Sequence, residues 1–452
     1  MLTVPDLAAL LAPVTAAVRA GGAMVRAEFL RPGGPRGGGQ KAPVDDEIER
    51  MLQTALRAAL PVPFVGEELP PVLEGDPGWC WLVDPHDGTS EFLRGARGSS
   101  VSVALLRDGV PVLGVVHAPL SPDRGDDLIA WAEGLDHLIR NGRPVRPSLA
   151  AAKLDADAVV LLTFRSYARP ATNARRVAPA RFMASNSIAY RLARVAAGDA
   201  VATVSRQAKL SAYDYAAGHA LLRGAGGVLL DGAGRAPVYG RHGSGGLDKC
   251  FAGGPEAVCA LLGHDWSMPA PPELPMPERI VLTWPRRDAG LDRAFACLAG
   301  LAIGERAGAA PGPLAEQAIR LARALVAGHA LPPAPRAACA PYGIAGRDAP
   351  PGARAYAAAI ATGIAGGSRA AMAAAAAGGE GMQDALALLA GGAGLADVAG
   401  RDAIAGALIG AAEGRACLPG PALFRLLSAR PSDRPPECWA DDLPLLAEAL
   451  LG

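Results

Sequence analysis

Two aspartates stand three residues apart in WLVDPHDGTSEF, residues 81–92, behind an apolar run and ahead of Gly-Thr-Ser. Like charges a few ångströms apart repel unless a proton or a cation lies between them. A bound metal would resolve the conflict. Two other segments bring carboxylates of their own, VGEEL around Glu67 and SAYDYAAG around Asp214. Taken singly, each has an ordinary explanation: Asp-Gly is a common turn, paired glutamates on a loop are solvated, and an aspartate before a helix is an N-cap. Together they meet what Mg²⁺ requires, several oxygen ligands from separate segments, with waters and a substrate phosphate completing the shell.

The surrounding pattern predicts how these groups are held. A strand ending at Asp84 fixes one carboxylate, and Asp87 follows one turn later. Gly88 and Thr89 then open a helix whose first N–H groups have no helical partner, a ready cradle for phosphate. A cation site beside an anion cradle suits metal-assisted hydrolysis of a phosphate monoester, in which one metal lowers the pKa of a water and metals stabilise the leaving oxygen. VPFVGEE, WCWLVDP, SSVSVALLRDG, VPVLGVVHAP, DAVVLLTF and GGVLLD have the apolar runs of strands, whereas SNSIAYRLARVAAG and SAYDYAAGHALLRGAGG have the spacing of glycine-closed helices. Two further segments are predicted helices: the N-terminal stretch to Leu30 and VDDEIERMLQTALRAAL, with the glycine-rich loop RPGGPRGGGQ between them.

At 452 residues the chain is too long for one ordinary core. Five prolines in HDWSMPAPPELPMPERI mark a linker over 266–280, separating a domain of 1–265 from an Ala-, Gly- and Leu-rich one of 281–452. No convincing strand follows VLTW, so the second domain is predicted to be all-helical; its AMAAAAAGG tract is good helix sequence. Basic and acidic residues balance at 44 each, which gives no basic field for nucleic acid or a membrane surface and points to a small ligand. Only Lys41, Lys153, Lys209 and Lys249 are lysines, so cationic roles fall mostly to arginine. Seven scattered cysteines without a Cys-x-x-Cys pair read as reduced thiols of a cytoplasmic protein. The N-terminus lacks a basic leader region and carries Arg19 and Arg26 within its apolar stretch, as an amphipathic helix does and a signal peptide or membrane span does not.

DPHDGTSEF resembles the DPxDGTxxF signature of the inositol monophosphatase superfamily, with VGEE matching its upstream glutamate motif and YDYAAGHALLRGAGGVLLD its downstream WDxAAG motif. The resemblance implies an α/β layered sandwich (α/β/α/β/α) over 1–265 and a Mg²⁺-dependent, lithium-sensitive phosphatase acting on a small-molecule phosphate ester. Carried over by position, Glu67, Asp84, Asp87 and the backbone carbonyl of Pro85 would hold metal, and Asp214 a second metal. Asp46 would help a third to bind, with Asp45 as the alternative. Thr89 with Glu67 would orient the attacking water, and Gly88 and Thr89 would bind phosphate. His86 and His219 are expected to pack or support rather than to ligate, since Mg²⁺ prefers oxygen. A homodimer is compatible with this reading.

The departures from the pattern bear on substrate. APVDDEIE lacks the threonine of the usual first motif, Tyr213 replaces a tryptophan, and Gln207 stands where inositol phosphatases place a glutamate that binds sugar hydroxyls. Glu91-Phe92 is closer to the branch acting on adenosine 3',5'-bisphosphate, so a polyol phosphate and a nucleotide phosphate both stay open.

LDRAFACLAGLAIGERAG, residues 291–308, and AIAGALIGAAEGRACLPG, residues 403–420, resemble the opening and closing segments of ADP-ribosylglycohydrolases. That family's acids are mostly missing: PGPLAEQ occupies the first acidic segment, and LADVAGRDAIAG retains Asp397 but has Ala399 at the second aspartate. The resemblance implies a degenerate domain that holds an ADP-ribose-like ligand or serves structure. Three functional readings follow: a phosphomonoesterase, a nucleotide-binding scaffold without turnover, and an ADP-ribosyl hydrolase.

Overall fold

A computed structural model describes residues 5–266, apart from 32–33, 94–95, 122–123, 157, 165 and 167–169, and beyond them chiefly 289–306, 351–376 and 383–418. The chain forms two compact units, 1–275 and 276–452.

In the first unit, helices α1 (Leu7–Phe29) and α2 (Pro43–Ala59) pair and lie on one face of a seven-stranded sheet. That sheet runs in sequence order: β1 (Phe64–Gly66), β2 (Trp79–Asp87), β3 (Ser100–Arg107), β4 (Val110–Ser121), β5 (Gly125–Ala132), β6 (Leu138–Arg140) and β7 (Arg143–Val145). Only the β1–β2 pair is parallel. By length and composition α1 could cross a membrane, but Leu10, Val14, Val18, Val25 and Phe29 are buried, and the helix packs on β3, β4 and β5.

The short helix α3 (Thr89–Phe92) follows β2 directly, and β8 (Val159–Thr163), α4 (Pro170–Val177) and β9 (Arg181–Ser185) begin the second half of the unit. Helix α5 (Ile188–Ala196), strands β10 (Ala202–Ser205) and β11 (Leu210–Ser211) and helix α6 (Ala212–Gly224) come next, then β12 (Val228–Leu230), β13 (Gly246–Leu247), β14 (Cys250–Gly253) and α7 (Pro255–Leu262). A second sheet has the order β12-β14-β10-β8-β9, and β11 pairs with β13. Helices α5 and α6 pack together between the two large sheets, while α4 and α7 contact the second sheet. The layers are therefore helix, sheet, helix, sheet, helix.

Burial on both faces explains why β8 reads as an unbroken apolar run. Val159 and Leu161 join the core shared with α5, α6 and the first sheet, while Val160 and Leu162 join the core beneath α7. Trp266 also belongs to this outer core and donates its indole N–H to the Leu261 carbonyl at 2.7 Å, so the packed domain runs one residue into the predicted linker. The remainder of that linker and VLTW lie outside the described residues. Strands β5, β6, β7, β9, β10, β11, β13 and β14 and helices α4 and α7 were not among the elements predicted. Most are short, or irregular in their alternation.

Among the described residues beyond 288, every regular element is helical. Helices Ala289–Arg306 and Ala403–Glu413 approach so closely that a Cβ on Gly300, Gly304, Gly406 or Gly410 would collide with the opposing backbone. Close packing by small residues accounts for the glycine spacing in both segments. The free cysteines Cys80, Cys250 and Cys297 are buried, Cys417 is partly buried and Cys259 is exposed; Cys339 and Cys438 lie outside the described residues.

Candidate active site

The first correction to the sequence reading lies in β2. It continues through Asp84 to Asp87, where the pairing with β3 shifts: Asp84 faces Ser102 and Asp87 faces Ser100, three residues against two. In a regular strand residues three apart point to opposite faces; a bulge re-aims one of them. Both carboxylates thereby reach one cavity of about 340 Å³, whose walls also include Glu67, Gly88, Thr89, Gln207, Tyr213 and Asp214. Pro85, within the bulge, is buried and does not line the cavity.

Each carboxylate has its own anchor. Asp84 is almost wholly buried and accepts the His86 backbone N–H at 2.9 Å. Asp87 accepts from the Ser187 hydroxyl at 2.6 Å and the Ala189 N–H at 2.7 Å, at the N-terminus of α5, where the helix dipole favours an anion. Asp214 sits in the first turn of α6 and accepts the Ser211 N–H at 2.7 Å. Glu67 follows β1 on a loop held from beneath by Glu49, which accepts the N–H groups of Glu68 and Leu69 at 2.8 and 2.9 Å. A side chain at Gly66 would occupy the place of the Glu49 carboxylate.

These acids hold protons abnormally well. Burial pushes Glu67 up to about 7, opposed by a hydrogen bond with the Asp84 carboxyl and reinforced by repulsion from Glu68, Asp87 and Asp45, although the residue keeps solvent access. Burial, with repulsion from Asp87 and Glu67, raises Asp214 to about 8. Asp84 lies well above the carboxylate range through burial and the charges of Glu67, Asp87 and Asp214. Asp87 is also raised by burial, opposed by its hydrogen bonds from Ser187 and Ala189 and by the charge of Arg191. Arg191 is buried at the cavity wall, donates to the carbonyls of Ser185 and Asn186, and is pulled down to about 10 by burial.

Whether this set suits Mg²⁺ is decided by donor chemistry. Four carboxylates from three segments supply hard oxygen, and their shared repulsion is what a dication relieves. Among the described residues no group of three acid, histidine or cysteine side chains already stands at metal-binding spacing, so drawing them onto a cation requires side-chain adjustment. The residues fit Mg²⁺ by type and charge.

Gly88 has φ +99°, and a Cβ there would press on the Asn186 amide, whose nitrogen donates to the Gly88 carbonyl at 3.3 Å. The helix it precedes is a single turn. The Thr89 hydroxyl lies 2.8 Å from the His86 carbonyl and 3.3 Å from Asp45 Oδ2.

Asp46, expected near the metals, faces outward and pairs with Arg50 at 3.1 Å; the aspartate turned inward is Asp45. Its position in the first turn of α2 explains this, because one carboxylate oxygen caps the Ala42 N–H at 3.1 Å. His86 lies buried between Asp45 and Ser99. His219 does not line the cavity, bonds the Tyr239 hydroxyl at 3.0 Å and is lowered to about 4 by burial and Arg223, which keeps it neutral. Sequence reasoning missed Glu49, Asn186, Ser187, Arg191 and Lys209. Ser187 alone carried a local signal, as the N-cap of a predicted helix.

A layered α/β domain with an acid-lined cavity and an adjoining Gly-Thr turn has the construction of a hydrolase for phosphate esters. The model described as "Inositol monophosphatase family" matches residues 6–251. A probable inositol 1-monophosphatase of Mycobacterium tuberculosis is 36% identical over 203 residues, 42% of this chain and 71% of the relative. A 3'(2'),5'-bisphosphate nucleotidase of Shigella flexneri is 32% identical over 207 residues, 43% of this chain and 77% of the relative. The solved inositol monophosphatase of Anabaena (Nostoc) sp. PCC 7120 is 24% identical, with a TM-score of 0.45, covering 57% of this chain and 95% of that one. The chain belongs to the inositol monophosphatase family and is a hydrolase of small phosphate esters.

Proposed function

We propose that the first unit is a Mg²⁺-dependent phosphomonoesterase, supported chiefly by the convergence of Glu67, Asp84, Asp87 and Asp214, each with a raised proton affinity, on one cavity. Bound there, Mg²⁺ would supply charge neutralisation and acidification of a water. The chain's own residues do the rest. Glu67, Asp84 and Asp87 would hold the first metal and Asp214 the second. Thr89, its hydroxyl proton directed to Asp45 or the His86 carbonyl, accepts from and orients a water, with Glu67 as the other orienting group. The Gly88 and Thr89 N–H groups receive the phosphate oxygens. A third metal is not part of this reading, because both Asp45 oxygens are engaged by His86, Ala42 and Thr89.

For the substrate we keep two esters, an inositol phosphate and a 3'-phosphonucleotide such as adenosine 3',5'-bisphosphate. The relatives' names include both classes, and the exposed Gln207 at the cavity wall offers an amide in place of a charged sugar-binding group. Phosphate release from each, measured with Mg²⁺, with EDTA and with added Li⁺, is the test. Mg²⁺-dependent release from one ester supports the reading and selects the branch. Failure on both and on a wider panel of phosphate monoesters would replace it with a binding protein without turnover.

The second unit is proposed to be non-hydrolytic, with a structural or ligand-holding role. The Asp397 carboxylate caps its own helix by accepting the Gly394 N–H at 2.8 Å, and Glu305 accepts from the N–H groups of Leu314 and Ala315, both at 2.9 Å.

A further inference from the structure

The unusual member of DPHDGT is its histidine. His86 has no solvent-exposed side-chain surface and Asp45 almost none, yet no element of the proposed chemistry requires an imidazole at this position. Its Nδ1 lies 2.7 Å from Asp45 Oδ1 and its Nε2 3.0 Å from the Ser99 hydroxyl. A carboxylate only accepts, so the Nδ1 carries the proton, and Nε2 pairs with the Ser99 hydroxyl, which can serve as donor or acceptor. The edge of Phe92 fixes the ring from the side, with centroids 4.3 Å apart and planes at 83°.

Asp45 is therefore held at three points. Oδ1 takes the imidazole N–H, and Oδ2 takes the Ala42 N–H and faces the Thr89 hydroxyl. The Thr89 hydroxyl has a single proton and two acceptors, Asp45 Oδ2 and the His86 carbonyl. Its lone pairs face the attacking water only while that proton is directed away, and His86 controls both acceptors, one through its ring and one through its backbone.

We propose that His86 is a positioning residue for hydrolysis: its imidazole fixes the Asp45 carboxylate so that the Thr89 hydroxyl donates inward and presents its oxygen to the water. The proposal rests on the phosphatase reading above. Loss of the ring would leave Asp45 Oδ1 buried without its donor, a cost that rotation of the carboxylate relieves, and the rotation would take Oδ2 away from Thr89, leaving the hydroxyl aimed by the His86 carbonyl at 2.8 Å in place of two acceptors. The ring nitrogens bond Asp45 and Ser99 and no group assigned to metal or phosphate, so the defect belongs chiefly in kcat.

The test is a double-mutant cycle in the full chain. His86→Leu removes both ring nitrogens at similar volume, whereas His86→Asn places an amide N–H near the Nδ1 position. Expected results are a fall in kcat of about 10-fold for His86→Leu with KM within about twofold, recovery of most of that loss in His86→Asn, and less than a twofold further effect of His86→Leu in an Asp45→Asn background. Multiplicative effects of the two changes, or a loss confined to KM, would overturn it.

A readout independent of turnover separates this inference from the phosphatase reading. In a ¹⁵N-labelled chain, the His86 Nδ1–H resonance should be present and should move on Asp45→Asn. An Nδ1 without its proton would overturn the proposal even in an active enzyme. A native chain without phosphatase activity but with this signature would overturn the phosphatase reading and, with it, the role in hydrolysis.

Discussion

Asp84→Asn separates the cost of the site from its use. Asp84 is buried, accepts one backbone N–H at 2.9 Å, and shares its cavity with Glu67, Asp87 and Asp214. Its raised proton affinity means that the folded state binds a proton more tightly than the unfolded chain. Without metal, stability therefore falls as pH rises above the unfolded value and stops falling only beyond the raised folded value. An asparagine keeps the shape and the acceptor and removes the charge. A like-charge pair about 4 Å apart is worth about 4 kcal/mol at an effective dielectric of ~20; the hydrogen bond between the Glu67 and Asp84 carboxyls and solvent reaching the cavity offset most of this, so a gain of about 1 kcal/mol is expected for the variant. In EDTA at pH 8 that raises the melting temperature of the first unit by roughly 2–4 °C, and the gain should shrink towards pH 5. Saturating Mg²⁺ reverses the order, since binding at about 100 times Kd stabilises the native chain by about 2.7 kcal/mol and the variant by less. Phosphate release should fall on the order of 10²-fold or more. Calorimetry in EDTA and in Mg²⁺, run beside the phosphate assay, gives all three readings. A variant less stable than the native chain in EDTA, or equally active, would show that Asp84 bears no repelling charge in the cavity and no metal.

The raised acids also predict that metal binding displaces protons. With Glu67 at about 7 and Asp214 at about 8, Mg²⁺ affinity measured by titration calorimetry should climb between about pH 6 and 8.5 and then level; a flat profile would contradict the cluster. Gly88→Ala must take a left-handed backbone and displace Asn186, so it should cost about 1–2 kcal/mol in chemical denaturation and reduce turnover. Asp199 lies between Arg124, Arg140 and Arg194 at 2.6–2.9 Å, and their charges outweigh burial to hold its carboxyl well below the ordinary range. The stability it provides is present above the unfolded value and lost only as pH falls through the depressed one. Asp199→Asn should therefore cost about 3 kcal/mol at neutral pH in urea titration, with the difference from native narrowing towards strong acid.

The acidic groups were legible because each is tied to local grammar: Glu67 after a strand, Asp84 and Asp87 around Pro-His, and Asp214 in a helix's first turn. The bulge that brings Asp84 and Asp87 to one face was not, because it depends on pairing with Ser100 and Ser102 in the next strand. Asp45 and Asp46 differ by one residue on one helix, so sequence alone could not say which turns inward; capping of Ala42 and the reach of His86 decide it. Glu49, Asn186 and Arg191 stayed hidden because their partners are 19 residues or more away in the chain, or lie in the turn that receives Asp87. The alternation of strand-like and helical segments pointed to a mixed α/β domain, and its layering was an expectation carried by the family resemblance of DPHDGTSEF. The three-residue strands β6 and β7 carry too few residues to show a period, and β9, RFMAS, has no apolar run.

The most direct test of the central claim is phosphate release by the purified full chain from inositol 1-phosphate and from adenosine 3',5'-bisphosphate, after stripping with EDTA and on stepwise return of Mg²⁺, with Asp84→Asn alongside. No turnover is expected in EDTA, with saturable recovery on return of Mg²⁺ for at least one ester and little recovery in the variant. Turnover that persists in EDTA, or that Asp84→Asn recovers as fully as the native chain, would contradict that claim.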